Sequence, residues 1–298
     1  MLETMNSLPP LVPLSWTWQG YRCRYTVMGS GPPLVLIHGF GASIGHWRKN
    51  IPVLAKAGYQ VFALDLLGFG ASEKPTRDYQ LELWQQQLRD FWAENIARPA
   101  VWVGNSIGGL LTLMLLADSP ELAQAGVLLN CAGGLNHRPE ELPPPLRLVM
   151  GAFTQVVSSP LTGPLVFNLI RQKPLIRNSL RQVYRDRQAI TPELVEMLHR
   201  PSCDPGAQQV FAAIVTAPPG PRPEELLPRI QQPLLVLWGE DDPWTPIEGA
   251  AIYRTLAAQS DRVQFTGHCP HDERPEVVNG VIRDWLATLT AAPTLAAL

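Results

Sequence analysis

The sequence predicts an α/β fold: a mostly parallel central sheet with helices on both faces and one inserted helical segment. Three observations carry the prediction. Short apolar, β-branched runs alternate with helix-length segments, as in successive βαβ units. One strand-to-helix junction reads Gly104-Asn105-Ser106-Ile107-Gly108, a sharp turn between a buried strand and an apolar helix. The 92 residues from Gly134 to Glu225 far exceed an ordinary βα connection of about 2–6 residues, or a dozen more with its helix.

Taken in order, Trp16–Gln19 and Tyr21–Met28 read as an opening hairpin about Gly20. Pro33–His38, Gln60–Asp65 and Ala100–Gly104 read as buried strands, with helices over Trp47–Ala57 and Leu81–Ile96 between them. Gly126–Cys131 and Pro233–Trp238 are two further buried strands. Arg262–Phe265 is a last one, and Glu276–Leu289 an amphipathic closing helix. The core is therefore assigned to residues 1–133 and 226–298, and residues 134–225 to a cap inserted over one end of the sheet.

Composition excludes several functions. With 24 Lys+Arg against 26 Asp+Glu, the chain has no field for gathering nucleic acid. At 46% hydrophobic it is too apolar to be disordered. Met1 to Pro13 holds no Lys or Arg and no long apolar run, so neither a secretory signal nor an Arg-rich transit peptide is expected. Cys23, Cys131, Cys203 and Cys269 are scattered without a CxxC, which argues against a metal knuckle and suits a reducing compartment. No metal or cofactor is expected. In the apolar stretch Leu142–Ile170, prolines leave only the 14 uninterrupted residues Leu146–Ser159, fewer than the ~20 a spanning helix needs.

The strongest chemical signal is the Gly104–Gly108 turn. A strand-to-helix reversal this tight forces Ser106 into strained backbone geometry and brings strand and helix together, so residues without a Cβ are expected at Gly104 and Gly108. A serine becomes a nucleophile when a base takes its proton, and the base should be a histidine oriented by a carboxylate. His137 and His199 lie isolated in the insertion and read as surface residues. His268 follows Gly267 at the end of the last strand and is the chosen base, with His271 assigned to structural hydrogen bonding. Trp238-Gly239-Glu240-Asp241-Asp242 leaves another strand end, and Asp242 is chosen over its rival Asp241. The order Ser, Asp, His is that of strand–GxSxG–helix enzymes. Backbone N–H donors for an oxyanion are expected at Ile107, directly after the serine, and at Phe40 in the His38-Gly39-Phe40-Gly41 loop. His38 reads as bracing that loop.

These segments, with Asp65–Pro75 (DLLGFGASEKP), WGEDDPWTP and GHCPHDERP, resemble the α/β-hydrolase superfamily over nearly the whole core. The family patterns G-x-x-D-x-x-x-P and G-H-x(6)-P fall on Gly239, Asp242 and Pro246 and on Gly267, His268 and Pro275, which favours Asp242 and His268. The resemblance implies that Asp65 is structural. Dehalogenases and epoxide hydrolases carry an aspartate at the turn, and Ser106 excludes them. LLNCAGGLN, PSCDPGA, VTAPPGPRP and GHCPHDERPE are similar to the chlorophyll dephytylase and pheophytinase group. That resemblance implies hydrolysis of a chlorophyll-like phytyl ester, a hydrophobic small molecule, by a cytoplasmic chain peripheral to the thylakoid membrane or its pigment proteins.

The insertion holds 14 of the 30 prolines and none of the nine tryptophans. Its Leu142–Ile170 stretch reads either as an uncharged wall for a long apolar ligand or as packing onto the core. Arg177, Arg181 and Arg185 fall at helical spacing, either as a patch resting on anionic lipid or as a solvated face. The expected activity is that of a serine esterase. Its rivals are a C–C bond hydrolase or small-ester carboxylesterase of the same fold, and a non-catalytic binding protein on that fold.

Overall fold

The central strands are apolar at almost every position because both of their faces are covered. The computed structural model describes residues 10–254, 259–263 and 266–291. Eight strands, β1 (Leu14–Trp18), β2 (Tyr21–Met28), β3 (Pro33–Ile37), β4 (Gln60–Asp65), β5 (Ala100–Asn105), β6 (Ala123–Leu129), β7 (Leu234–Gly239) and β8 (Gln259–Val263), form one sheet in the order β1-β2-β4-β3-β5-β6-β7-β8. β1 pairs with β2 and β2 with β4 antiparallel, and every other pairing is parallel. This is an α/β-hydrolase fold, as the sequence predicts.

Alternation along each strand divides the core in two. Leu34 and Leu36 join the layer under α1 (Ile51–Lys56), whereas Val35 and Ile37 join the layer under α2 (Leu81–Asn95) and α3 (Ile107–Asp118). The β1–β2 turn is made by Gln19 and Gly20, both at positive φ (50° and 83°), the geometry that matches the strand twist of a two-residue hairpin.

The predicted helix over Trp47–Ala57 is two elements. A 3-10 turn, Ile44–Trp47, is capped by the Ser43 hydroxyl accepting from Gly45 N, and α1 starts afresh at Ile51 with Pro52 in its first turn. A proline tolerates that position because the missing N–H would be unpaired there anyway. Of the predicted strand Arg262–Phe265, residues 264 and 265 lie outside the described residues.

Between β6 and β7 the chain forms α4 (Pro144–Ser158), α5 (Gly163–Ile170), α6 (Lys173–Val183), α7 (Pro192–Ser202), α8 (Ala207–Thr216) and α9 (Pro223–Leu226). The prolines that limit α4 also begin it, since they occupy its first turn. The two ends of this segment are tied to each other. Leu135 N donates to Pro219 O at 2.8 Å, Asn136 Nδ2 to Ile214 O and Ala217 O, and the Arg138 guanidinium to Gly133 O and Gly220 O.

Two expectations for the segment change. α6 ends at Val183, because Tyr184 turns extended and its buried hydroxyl donates to Asp272 Oδ2 at 2.9 Å. Arg185 therefore lies off the helix that carries Arg177 and Arg181, and it pairs with Asp241 at 3.4 Å. In the Leu142–Ile170 stretch, Phe167 and Ile170 reach the cavity described below, while much of α4 faces outward. α10 (Pro270–Glu273) leads into α11 (Pro275–Ala291), which packs on the same sheet face as α1. Among the described residues no helix is long and apolar enough to cross a membrane.

Candidate active site

In a parallel sheet the carboxyl ends of the strands deliver loops to a common edge, and five of them meet here. β5 hands over to Ser106, which caps the start of α3 at φ 57° and ψ −120°. The two glycines on either side explain how that conformation is held. A Cβ on Gly104 would lie 2.0 Å from Gly108 O, and one on Gly108 would lie 2.3 Å from Ile37 O, so strand and helix meet through bare backbone. Ser106 N donates to Leu129 O at 3.0 Å, which fastens the turn to β6.

The loop after β7 carries Asp242 and the loop after β8 carries His268. His268 Nδ1 is 2.6 Å from Asp242 Oδ2, and both residues are buried. Burial pushes the Asp242 carboxyl up, but hydrogen bonds from His268, Thr245 Oγ1 and Trp244 N outweigh it and hold the group below the usual carboxylate range. Asp241 points elsewhere, to Arg185. Ser106, His268 and Phe40 line one cavity, and Ile107 follows Ser106 with its side chain in the core. Among the described residues, neither the Phe40 nor the Ile107 N–H has a protein acceptor.

Several supporting residues carry no sequence signal of their own. Asn130, at φ 45° just past β6, donates from Nδ2 to Asp242 Oδ2 at 2.7 Å and accepts from Gly239 N at 2.9 Å. Asn105 Nδ2 donates to His268 O at 2.9 Å. Glu273 accepts from Gly267 N, Arg185 N and Asp186 N, joining the His268 loop to the segment after α6. Only Asn105, at a strand end directly before the serine, has a place in the sequence that could have found it.

His38 braces as expected: Nε2 accepts from Leu66 N at 3.1 Å and Nδ1 lies 2.7 Å from Gly39 O. Asp65 accepts from Ile44 N and Ala71 N. His137 is exposed, whereas His199 is half-buried, its Nδ1 2.8 Å from Arg171 O. His271 differs from expectation. Its ring nitrogens have no hydrogen-bond partner among the described residues, and α10 turns the ring onto Trp47, 4.2 Å between centroids.

The cavity measures about 320 Å³, near the lower end of ordinary ligand pockets (~300–1,000 Å³). Its wall is mostly apolar. Phe211 links Phe40 and Phe167 in one aromatic run, with centroids 6.2 and 5.4 Å apart. Its cations are Lys74, paired with Asp204 at 2.8 Å, and Arg171. Among the described residues no group of three or more His, Cys, Asp or Glu could hold a metal ion.

The family model described as the alpha/beta hydrolase family matches residues 34–281. The chain belongs to the alpha/beta hydrolase family. Among relatives of this hydrolase, chloroplastic pheophytinase of Arabidopsis thaliana is 29% identical over 87% of the chain. That match spans 62% of the pheophytinase's own length. The 2-hydroxy-6-oxo-6-(2'-aminophenyl)hexa-2,4-dienoic acid hydrolase of Metapseudomonas resinovorans is 31% identical over 86% of the chain and 84% of its own length. Among solved structures, a serine hydrolase involved in carbazole degradation superposes with a TM-score of 0.76 at 25% identity, covering 94% of this chain and 100% of that one.

Buried histidines set an acid limit on the stability of this hydrolase. Burial lowers His38 and His46 to about 4 and His271 to about 3. The folded chain thus refuses protons that the unfolded chain binds below a pH of about 6.5. Their contribution is complete above that pH and is lost as the pH falls toward 4, by up to about 1.4 kcal/mol per pH unit for each ring. Asp242 and Asp272, held low, add to the loss only below about pH 4. Asp65 and Glu273, raised by burial to about 6 and about 7, take up protons in the folded chain over the same range and offset part of this loss. Three rings outweigh two carboxyls, so urea midpoints are expected to fall between about pH 7 and pH 5. A midpoint constant over that interval contradicts the assignment.

Proposed function

We propose that this hydrolase is a serine esterase acting on a bulky isoprenoid ester of the chlorophyll or pheophytin type. The observation that carries the reading is the meeting of strained Ser106 and the His268–Asp242 pair on one apolar cavity. With Nδ1 committed to Asp242, His268 keeps Nε2 to take the Ser106 proton as Oγ attacks the ester carbonyl. The oxyanion then accepts from Phe40 and Ile107 N–H, groups with no protein acceptor among the described residues. As the ester C–O bond breaks, the departing alcohol takes the proton from His268. Water gives a proton to the same nitrogen as it attacks the acyl-enzyme, and Ser106 leaves with that proton.

In this reading residues 134–225 are a cap that completes the cavity, through Phe167, Ile176 and Phe211 among others. Wall chemistry supports an apolar chain, whose burial is worth ~25 cal/mol per Å². A tetrapyrrole together with its C20 chain exceeds so small a space, so the chain enters and the macrocycle stays at the mouth. The pheophytinase likeness supports the same substrate class.

A second reading, C–C bond hydrolysis of a carboxylated dienoate, is favoured by Arg171, a cavity cation without a carboxylate partner among the described residues, and by the dienoic acid hydrolase likeness. Product analysis separates the two. Purified chlorophyll a is expected to yield chlorophyllide and phytol, with slower cleavage of short p-nitrophenyl esters. Turnover of a meta-cleavage dienoate with no phytol release overturns the ester reading.

A further inference from the structure

We propose that the outer face of α4 and α5, with the cations that follow it, docks on an anionic lipid surface. Of thirteen large exposed hydrophobic residues among those described, eight lie between Leu146 and Leu169. Leu148 is 75% exposed, Leu161 83% and Leu165 70%, values that packing onto the core does not explain. At 3.6 residues per turn, Leu146, Leu148, Val149, Phe153 and Val156 fill one arc of about 160° on α4. Val157, which is buried, falls about 20° beyond Leu146 on the same helical wheel, so one apolar surface runs from the contact with the protein out onto the exposed side. A soluble surface helix ordinarily turns polar residues outward. α4 packs against α5, where Leu165 and Leu169, four apart, share an exposed face.

Charge selects the occupant. From Leu142 to Arg185 the chain has six cations and no carboxylate. Lys173 and Arg185 pair with Glu196 and Asp241 from elsewhere and Arg171 turns to the cavity, while Arg147, Arg177 and Arg181 have no carboxylate partner among the described residues. Two copies meeting through this face would bring like charges together. Anionic headgroups answer both features, taking the leucines below the headgroups and the arginines among them. α5 and α6 also carry Phe167, Ile170 and Ile176 of the cavity wall, so the docked surface backs the cavity. Docking needs no turnover and stands apart from the esterase reading.

Flotation of the full chain with phosphatidylcholine vesicles, with and without phosphatidylglycerol, tests it. Binding is expected to the anionic vesicles alone and to weaken with added salt. The Leu148→Asp/Leu165→Asp double variant and the single Leu161→Asp, all at exposed positions outside the cavity, are expected to lose it while keeping short-ester turnover and Tm. Arg177→Glu/Arg181→Glu should lower partitioning roughly tenfold or more. Failure of the wild type to float, equal flotation on neutral vesicles, or retained flotation of the leucine variants overturns the proposal. So does a concentration-dependent dimer that those variants dissolve, which gives the face to a second copy. Absence of ester turnover in a wild type that floats would count against the esterase reading and leave docking standing.

Discussion

Under the proposed mechanism, Ser106→Ala is expected to lower ester turnover by at least about 10⁴-fold, because without its nucleophile the site retains only binding and the oxyanion donors. The substitution deletes one oxygen and keeps the Cβ, so the turn and its hydrogen bonds through Ser106 N and O have no reason to move. Tm should therefore be unchanged, which separates a chemical loss from a folding loss. A fluorophosphonate probe should label the wild type and fail on the variant. Turnover within tenfold of the wild type, or an adduct on the alanine variant, would remove Ser106 from the nucleophile role. Lack of labelling in folded wild type would instead favour a binding protein on this fold.

The second large effect is on folding. Gly104→Ala places a methyl group 2.0 Å from Gly108 O, 2.2 Å from its carbonyl carbon and 2.5 Å from Gly109 N. All three atoms are backbone at the start of α3, so no side chain can swing aside. Relief requires β5 and α3 to separate, in a core where Val103, Leu110 and Leu111 are fully buried. A cost of about 3 kcal/mol or more is expected, lowering Tm by about 5 °C or more in a chain of this size. By contrast, Gly133 and Gly151 have open space where a Cβ would go, and alanine there serves as the control. A Gly104→Ala protein with wild-type Tm would show that the turn is not packed as described.

How much was legible follows from where the information is local. The central strands could be read because a strand covered on both faces leaves an uninterrupted apolar run, as in β3 and β7. The serine turn could be read because its steric demand falls on residues two positions away. Asp242 and Asp241 could not be separated by local physics, since the choice depends on which side chain the β7 loop turns toward Asn130 and His268. Asn130 itself was invisible for the same reason, its partners lying 109 and 112 positions along the chain. His271 was misread because a ring stacked on Trp47 has no sequence pattern to distinguish it from one that forms hydrogen bonds. Arg185 was placed on a helix by spacing alone, which takes no account of Tyr184 leaving the helix to reach Asp272.

The ties at the base of the α4–α9 segment have a consequence for how this protein can diversify. Arg138 and Asn136 join the incoming chain to residues 214–220 on the outgoing one, and a little deeper Asn130 holds Gly239 and Asp242. Both ends of the excursion are thus pinned before it leaves the sheet, and lengthening a loop whose ends are already held costs little extra entropy. The helices beyond the ties form a variable module. Their sequence can drift without shifting Asp242, except at the end of α6, where Val183 O accepts from His268 N and Tyr184 and Arg185 hold α10, so substrate-facing change is confined to the helices on either side of that contact.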